Sequence, residues 1–182
     1  MKLVLRLLLP ALLAVGLVAQ AQRAANLTRA QRLCNMVERR TLAMLRSGDL
    51  DKAKLRAHVA ALGDAQKLDR SDVAIPTLLG SQHLMLGELA LARKVYLAAN
   101  RLEPRPEILV NLGKVSYSQA QGERAVRYFA RAVALDPWLE REVPESLRAA
   151  VAAAAKSLDA LRSQDDADGA DDADLLAQDV GV

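Results

Sequence analysis

In this 182-residue chain, a set of residues recurs with the same or a similar residue type 33 positions later. The clearest sign is Leu79-Gly80, which comes back as Leu112-Gly113. The other pairs at the same distance are Ala92 and Ala125, Tyr96 and Phe129, Ala99 and Ala132, Leu102 and Leu135, and Pro104 and Pro137. A period of this length is typical of helical solenoids, in which each repeat is one supersecondary unit that stacks on the next. The period therefore constrains the architecture more than any local motif does.

Each copy of the repeat predicts two helices joined by a short turn. Apolar residues at steps of three and four favour helices over 73–86 and 89–102, and then over 107–119 and 123–135. Gly87 marks the first turn, and Pro104 and Pro137 end the second helix of each copy. Further helices are expected over 22–46 and about 50–62, with Gly63 as a terminator and a polar loop over 64–72. A short connector is expected over 138–143. The apolar face of the first of these helices consists of Leu27, Ala30, Cys34, Val37, Thr41 and Met44, and the second has a stripe of Ala53, Ala57, Ala60 and Ala61.

These residues resemble the tetratricopeptide repeat family, in which Leu-Gly lies in a first helix and Ala, an aromatic residue, Ala and Pro follow in a second. The resemblance covers copies 73–105 and 106–138, with a degenerate copy at about 34–67. It implies an all-α fold, a short right-handed α-solenoid of antiparallel helix pairs within a domain over 22–163. An amphipathic helix over 144–161 would cap its end.

Packing within the repeats follows from side-chain size. Gly80 and Ala92 are expected to face each other where two helices cross, and Tyr96 and Phe129 to fill the space between successive pairs. The sequence departs from the family pattern at a few positions. The period is 33 where about 34 is usual, a tyrosine is common at two positions that here differ, and the second turn has its glycine two places late. The residues concerned are His83, Ser116 and Gly122.

In this family the first helix of each pair lines a concave groove. By resemblance, the candidate partner-binding groove is lined by Thr77, Ser81, Leu84, Met85, Val110, Asn111, Lys114, Tyr117 and Ser118. Asn111, Lys114 and Ser118 lie three and four residues apart and so share one helix face. An amide can bond the backbone of an extended peptide, and an ammonium group can meet a carboxylate. The alternative is an ordinary solvated face.

The first 21 residues are typical of a secretory signal peptide. Lys2 and Arg6 supply positive charge, an apolar run follows, and Ala19-Gln20-Ala21 offers small residues for cleavage after Ala21. The alternative is an uncleaved membrane tether through 3–19. If the source is bacterial, either interpretation predicts a periplasmic protein, free or anchored in the inner membrane.

Charge is divided unequally along the chain. Between Gln22 and Arg162 there are 23 basic and 15 acidic side chains, whereas seven Asp and no base follow Arg162. Residues 164–182 are therefore predicted to be an acidic, disordered tail. The bases are spread along the helices with few aromatic residues among them, which does not favour a nucleic-acid partner.

Candidate catalytic and metal-binding residues are few. Cys34 is the only cysteine, and His58 and His83 are isolated, so no cluster has metal-ligand spacing. We expect Cys34 to be a buried residue on a helix face, with an intermolecular disulfide as the alternative. The histidines are expected in helix packing. The sequence predicts no enzyme, no cofactor and no metal.

An export signal joined to a protein-binding repeat favours a non-enzymatic adaptor of the cell envelope. Its partner would be a protein or peptide segment of an envelope complex, held during assembly of an envelope machine. The alternative is a membrane-tethered or self-associating structural spacer, with Cys34 and the long first helix as its basis. The oligomeric state, the partner and the role of the tail do not follow from the sequence.

Overall fold

The computed structural model describes the backbone of residues 2–168 and the side chains of residues 15–160. Over these residues the chain is all-α, and it contains no strand. The helices are α1 (Lys2–Ser47), α2 (Lys52–Leu68), α3 (Ala74–Leu86), α4 (Leu89–Leu102), α5 (Pro106–Ser118), α6 (Gly122–Leu135) and α7 (Arg148–Asp168). Two 3₁₀ helices, Pro137–Glu142 and Glu145–Leu147, join α6 to α7, and we call residues 137–147 the strap.

Backbone contacts divide the chain into two compact units, Met1–Pro104 and Arg105–Val182. Within each unit consecutive helices pack in pairs, as the repeat predicts: α1 with α2 and α3 with α4 in the first, α5 with α6 in the second. The predicted bounds of α4 are those observed, and the bounds of α3, α5 and α6 differ by one residue at most at each end.

Helix α1 is longer than predicted, because it continues without a break through the segment expected to be the signal peptide. From Val15 to Ala25 its described side chains are exposed, and burial begins at Ala30. Most of the predicted apolar face of α1 is then buried, although Leu27 is 40% exposed. The buried members are Ala30, Cys34, Val37, Thr41 and Met44. No helix in the searched, described part of the chain is long and apolar enough to cross a membrane.

Helix α2 corrects the sequence prediction at both of its ends. Asp51 caps it by accepting bonds from the amides of Ala53 (2.8 Å) and Lys54 (3.2 Å), which lowers the pKa of the Asp51 carboxyl. The helix passes through Gly63, the predicted terminator, and ends at Leu68. An interior glycine costs about 1 kcal/mol relative to alanine. Continuation is favoured because the next turn buries Ala65 completely.

The alanines predicted to form the stripe of α2 are not the residues that pack. The buried residues of this helix are Leu55, His58, Leu62 and Ala65, whereas Ala53, Ala57 and Ala60 are exposed. Leu62 and Ala65 enter the core of the first unit, which they share with α1 and α3. That core consists of Ala30, Cys34, Val37, Leu62, Ala65 and Ile75.

The 33-residue repeat is visible in the hydrogen bonds of the two turns. Gly87 has a φ of 78° between α3 and α4, and Ala120, 33 residues later, has a φ of 57° between α5 and α6. The same bonds close both turns: Gly87 N to Leu84 O (3.0 Å) and Glu88 N to His83 O (2.9 Å), then Ala120 N to Tyr117 O (3.0 Å) and Gln121 N to Ser116 O (2.9 Å). Gly122 therefore does not displace the turn, because Ala120 adopts the left-handed conformation in its place.

Each glycine of the Leu-Gly pair lies against the aromatic ring of its own hairpin. A Cβ atom on Gly80 would approach Tyr96 Cε1 to 2.7 Å, and one on Gly113 would approach Phe129 Cε1 to 2.9 Å. The sequence predicted that Gly80 faces Ala92, whereas the nearest side chain to Gly80 is the Tyr96 ring. Close approach of a ring to the backbone explains why glycine recurs at this position.

The C-terminal helix packs on α6 through Val151 and Ala155, both buried, as the capping prediction requires. Its bounds differ from the predicted 144–161. Pro144 and the strap precede it, and it runs to Asp168, because no glycine or proline interrupts the chain between Arg148 and Asp168. The first residues of the predicted tail are therefore helical. The remainder, 169–182, lies outside the described residues.

Candidate functional site

The polar face of α5 is the part of the predicted groove with the clearest geometry. Lys114 Nζ lies 2.8 Å from Glu142 Oε2, in the strap, and both side chains are a little over one-third exposed. The hydrogen bond and charge of Lys114 lower the pKa of the Glu142 carboxyl. The ammonium group predicted to meet a partner's carboxylate is thus bound to a carboxylate of its own chain.

A second contact joins the same face to the strap. Tyr117 Oη lies 3.2 Å from Ser146 Oγ, and the Tyr117 side chain is 44% exposed. Ser118 is also exposed and Asn111 is half-buried. Val110 is only 4% exposed, so it belongs to the interior and offers no surface to a partner.

Two apolar residues anchor the strap in the second unit. Leu139 is 9% exposed and Val143 is 2% exposed, and the first 3₁₀ helix packs against both α5 and α6. Asp136 starts this 3₁₀ helix by accepting a bond from the amide of Trp138 (3.0 Å). Trp138 itself is 77% exposed. The strap is therefore held by its apolar residues, while its polar side chains reach α5.

The predicted groove residues of α3 mostly bond within the first unit. Thr77 Oγ1 donates to Val73 O (2.7 Å), and Ser81 Oγ contacts Thr77 O (3.1 Å) and Tyr96 Oη (2.9 Å). Burial raises the pKa of Tyr96 to about 12. Leu84 and Met85 are half-buried. Ser81 therefore helps to fix the Tyr96 ring, a role that sequence analysis did not predict.

A closed triangle of polar side chains lies between α1, α2 and α3. Gln82 Nε2 donates to Thr41 Oγ1 (3.1 Å), and His58 Nδ1 lies 3.2 Å from Gln82 Oε1 and 3.4 Å from Thr41 Oγ1. All three residues are buried, which confirms that His58 is part of helix packing. His83 is also buried, and its Nδ1 lies 2.6 Å from Glu88 Oε2. A surface cleft of about 350 Å³ adjoins the triangle, lined by Arg40, Met44, Lys54, Ala57 and His58.

Cys34 is buried in the core of the first unit with 2% exposure, as predicted. Burial, with smaller effects of Asp72 and Asp69, raises the pKa of its thiol to about 11. A thiol that stays protonated at neutral pH is a poor nucleophile and a poor partner for disulfide exchange. No group of three or more His, Cys, Asp or Glu side chains could hold a metal ion among the residues searched.

Sequence analysis missed Glu142 and Ser146, the two strap residues that reach α5. They lie 28 and 29 residues beyond Lys114 and Tyr117, respectively. Glu142 belongs to the predicted connector 138–143, and Ser146 to the start of the predicted capping helix 144–161. No periodic pattern links positions so far apart, and only the fold of the second unit brings them together. The only sign in the sequence that the connector packs on α5 and α6 is its apolar pair Leu139 and Val143, four residues apart, which are buried in the structure.

The fold is similar to that of a Yersinia enterocolitica protein, the type III secretion translocator chaperone SycD, in a crystal structure of its alternative dimer. The TM-score is 0.51 at 14% sequence identity, and the match covers 74% of this chain and 95% of that chain. At this identity the likeness concerns the fold alone, and it fits the predicted all-α, solenoid-like class. No protein-family model matches the sequence, and no curated protein matches it either.

Proposed function

We propose that this protein is a non-enzymatic adaptor that binds a segment of a partner protein on the polar face of α5. One observation carries the proposal. The face already holds a short segment of its own chain, built of two 3₁₀ helices, through the bond from Lys114 to the Glu142 carboxylate and the contact between Tyr117 and Ser146. A surface that binds the polar side chains of one short segment has the hydrogen-bonding groups that another such segment needs.

Two further arguments support a protein as the ligand. The fold resembles that of a protein described as a type III secretion translocator chaperone. The 33-residue pattern also resembles the tetratricopeptide family, whose members bind peptides on the first helix of each pair. Our hypothesis is therefore that this chain is a tetratricopeptide-like protein and that it binds a peptide segment as those proteins do.

The cellular setting is a separate part of the proposal and rests on the sequence. Residues 1–21 have the charge, apolar run and small-residue site of an export signal. We place the adaptor in the periplasm, free or tethered at the inner membrane, where it would hold a component of an envelope machine during assembly. The spacer alternative loses one of its arguments, because Cys34 is buried and its thiol pKa is raised.

Pull-down with the purified chain from an extract of the producing cells tests the binding face. Lys114→Glu should weaken capture of the specific partner by about tenfold or more, as expected for a central charged contact. Asn111→Ala should weaken it less. Lys156→Glu, the same charge change on an exposed residue of α7, is the matched control and should leave capture unchanged. Equal capture by the wild type and both α5 variants would exclude this face.

A further inference from the structure

The strap approaches α5 with two polar side chains at once. Glu142 and Ser146 lie four residues apart, and they contact Lys114 and Tyr117, which lie three residues apart on one helix face. A carboxylate meets an ammonium group at 2.8 Å, and a hydroxyl meets a phenol at 3.2 Å. The strap therefore offers α5 a carboxylate and a hydroxyl, the groups with which a bound peptide segment could contact Lys114 and Tyr117.

The polar contacts are separable from the packing that holds the strap in place. Leu139 and Val143 are buried and fix the strap, whereas Lys114, Glu142 and Ser146 are partly or fully exposed. Exposed ion pairs contribute little to stability, because water and salt screen them and two long side chains must be ordered. Rotation of the Glu142 and Ser146 side chains alone would free both α5 groups, with the two apolar anchors left in the core.

The chemistry of the contact indicates which ligand could take its place. Once Glu142 turns away, Lys114 is a partly desolvated cation, and a carboxylate from another chain can restore the pair. The phenol of Tyr117, 44% exposed, offers an apolar ring and a hydroxyl beside it. A segment with an acidic side chain and a nearby hydroxyl would reproduce both contacts.

We propose that the strap is an internal occupant of the α5 face, and that it yields to an acidic peptide segment of the partner. The partner's carboxylate replaces that of Glu142 on Lys114. This inference rests on the proposed function, and it adds the partner's charge and an intramolecular competitor to it. The competitor weakens binding of every acidic segment to the wild-type chain by the same factor, because the face must first be vacated.

The strap sequence itself supplies the probe. A fluorescein-labelled synthetic peptide of residues 137–148 is added to the full chain, and binding is followed by anisotropy at low salt. The double variant Glu142→Gln/Ser146→Ala should bind this peptide about three- to fivefold more tightly than the wild type, the factor expected when an exposed ion pair no longer competes. Glu140→Gln, an equal charge change at an exposed strap position, should bind as the wild type does.

A charge swap then locates the peptide on Lys114. Adding Lys114→Glu to the double variant should abolish binding of the wild-type peptide, and a peptide carrying Glu142→Lys should bind this triple variant again. Recovery by the opposite charge would not occur if the substitutions merely damaged the fold. Failure of the swapped peptide to bind would overturn the assignment of an acidic ligand to Lys114.

The remaining outcomes separate this inference from the proposed function. If wild type and double variant bind the peptide equally, and Lys114→Glu still abolishes binding, the face binds acidic segments but the strap does not compete, and the inference is wrong. If no variant binds the peptide while pull-down still depends on Lys114, the partner is not of this class, and the inference is again wrong although the adaptor role stands. If neither assay depends on Lys114, both proposals fall.

Discussion

Gly113 and Phe129 show at the scale of single residues how the repeat sets the packing of its helices. A Cβ atom on Gly113 would lie 2.9 Å from the Phe129 ring, closer than side chains pack. Glycine at this position lowers the helix propensity, but it allows the ring to pack closely against the backbone. The same arrangement at Gly80 includes the bond between Tyr96 Oη and Ser81 Oγ, so one hairpin fixes its ring by a hydrogen bond as well as by packing.

Substitution of two helical glycines should have opposite effects on stability. We expect Gly113→Ala to lower the free energy of unfolding by about 1–2 kcal/mol, because overpacking exceeds the gain in helix propensity. Gly63→Ala should raise it by about 0.5–1 kcal/mol, because no atom lies within 4 Å of the added Cβ. Urea unfolding of both variants measures the difference. Equal effects would mean that the ring does not constrain Gly113.

The sequence predicted much at this scale, and its errors have a common cause. The bounds of α3, α4, α5 and α6 were predicted to within one residue, because a regular pattern is encoded locally. The predicted alanine stripe of α2 was wrong, since Leu55, His58, Leu62 and Ala65 are the buried residues of that helix. Gly63 was taken as a helix end because glycine often ends helices. Whether it does so depends on the next turn, and Ala65 is buried against residues of α1 and α3 that are distant in sequence.

The turn between α5 and α6 keeps the backbone conformation of the first repeat, although a non-glycine residue in that conformation is strained. Gly87 and Ala120 are equivalent positions with φ of 78° and 57°, and only glycine adopts this conformation without strain. We expect Ala120→Gly to raise the free energy of unfolding by up to about 1 kcal/mol, reduced by the greater freedom of glycine in the unfolded chain. Calorimetry of the variant measures it, with Ala152→Gly, at an exposed position inside α7, as a destabilising control. A loss of stability at Ala120 would contradict the observed turn.

The strap is the element whose role depends on charge, and it should respond to acid. The bond from Lys114 lowers the folded-state pKa of Glu142 below its usual value of 4.5. The bond therefore stabilises the fold fully above that usual value, and the stabilisation is lost as the pH falls through the lower, folded-state pKa. The wild type should therefore exceed Glu142→Gln in unfolding free energy at neutral pH, by no more than about 1 kcal/mol. Urea unfolding at about pH 7 and about pH 3 should show this difference vanish in acid. A difference that persists at low pH would mean that Glu142 acts through packing and not through its charge.

The strap also marks the limit of what the sequence could predict about the site. Asn111, Lys114 and Ser118 were placed on one face from helix periodicity alone, which needs only local information. The contact of Lys114 with Glu142 joins α5 to a segment beyond α6, and no spacing rule reports it. Val110 was assigned to the groove by family position, and its burial at 4% exposure was visible only in the folded unit.

At the scale of the whole molecule, the described part of the chain is all-α, which fits the repeat in the sequence. Its described helices form successive pairs, its buried histidines and cysteine lie in the helix packing, and polar side chains of α5 contact the strap. The similarity to a secretion translocator chaperone concerns the fold alone. Our proposal locates the binding event in the envelope because the sequence of residues 1–21 is typical of an export signal.

Site-specific photo-crosslinking in the producing cells tests the central claim most directly. A photoreactive amino acid replaces Ser118, exposed on the binding face, or Ser157, exposed on α7. The account predicts a discrete protein adduct from position 118 that disappears when Lys114→Glu is added, and no such adduct from position 157. The same adducts from both positions, or an adduct from position 118 that Lys114→Glu leaves unchanged, would contradict a partner-binding face on α5.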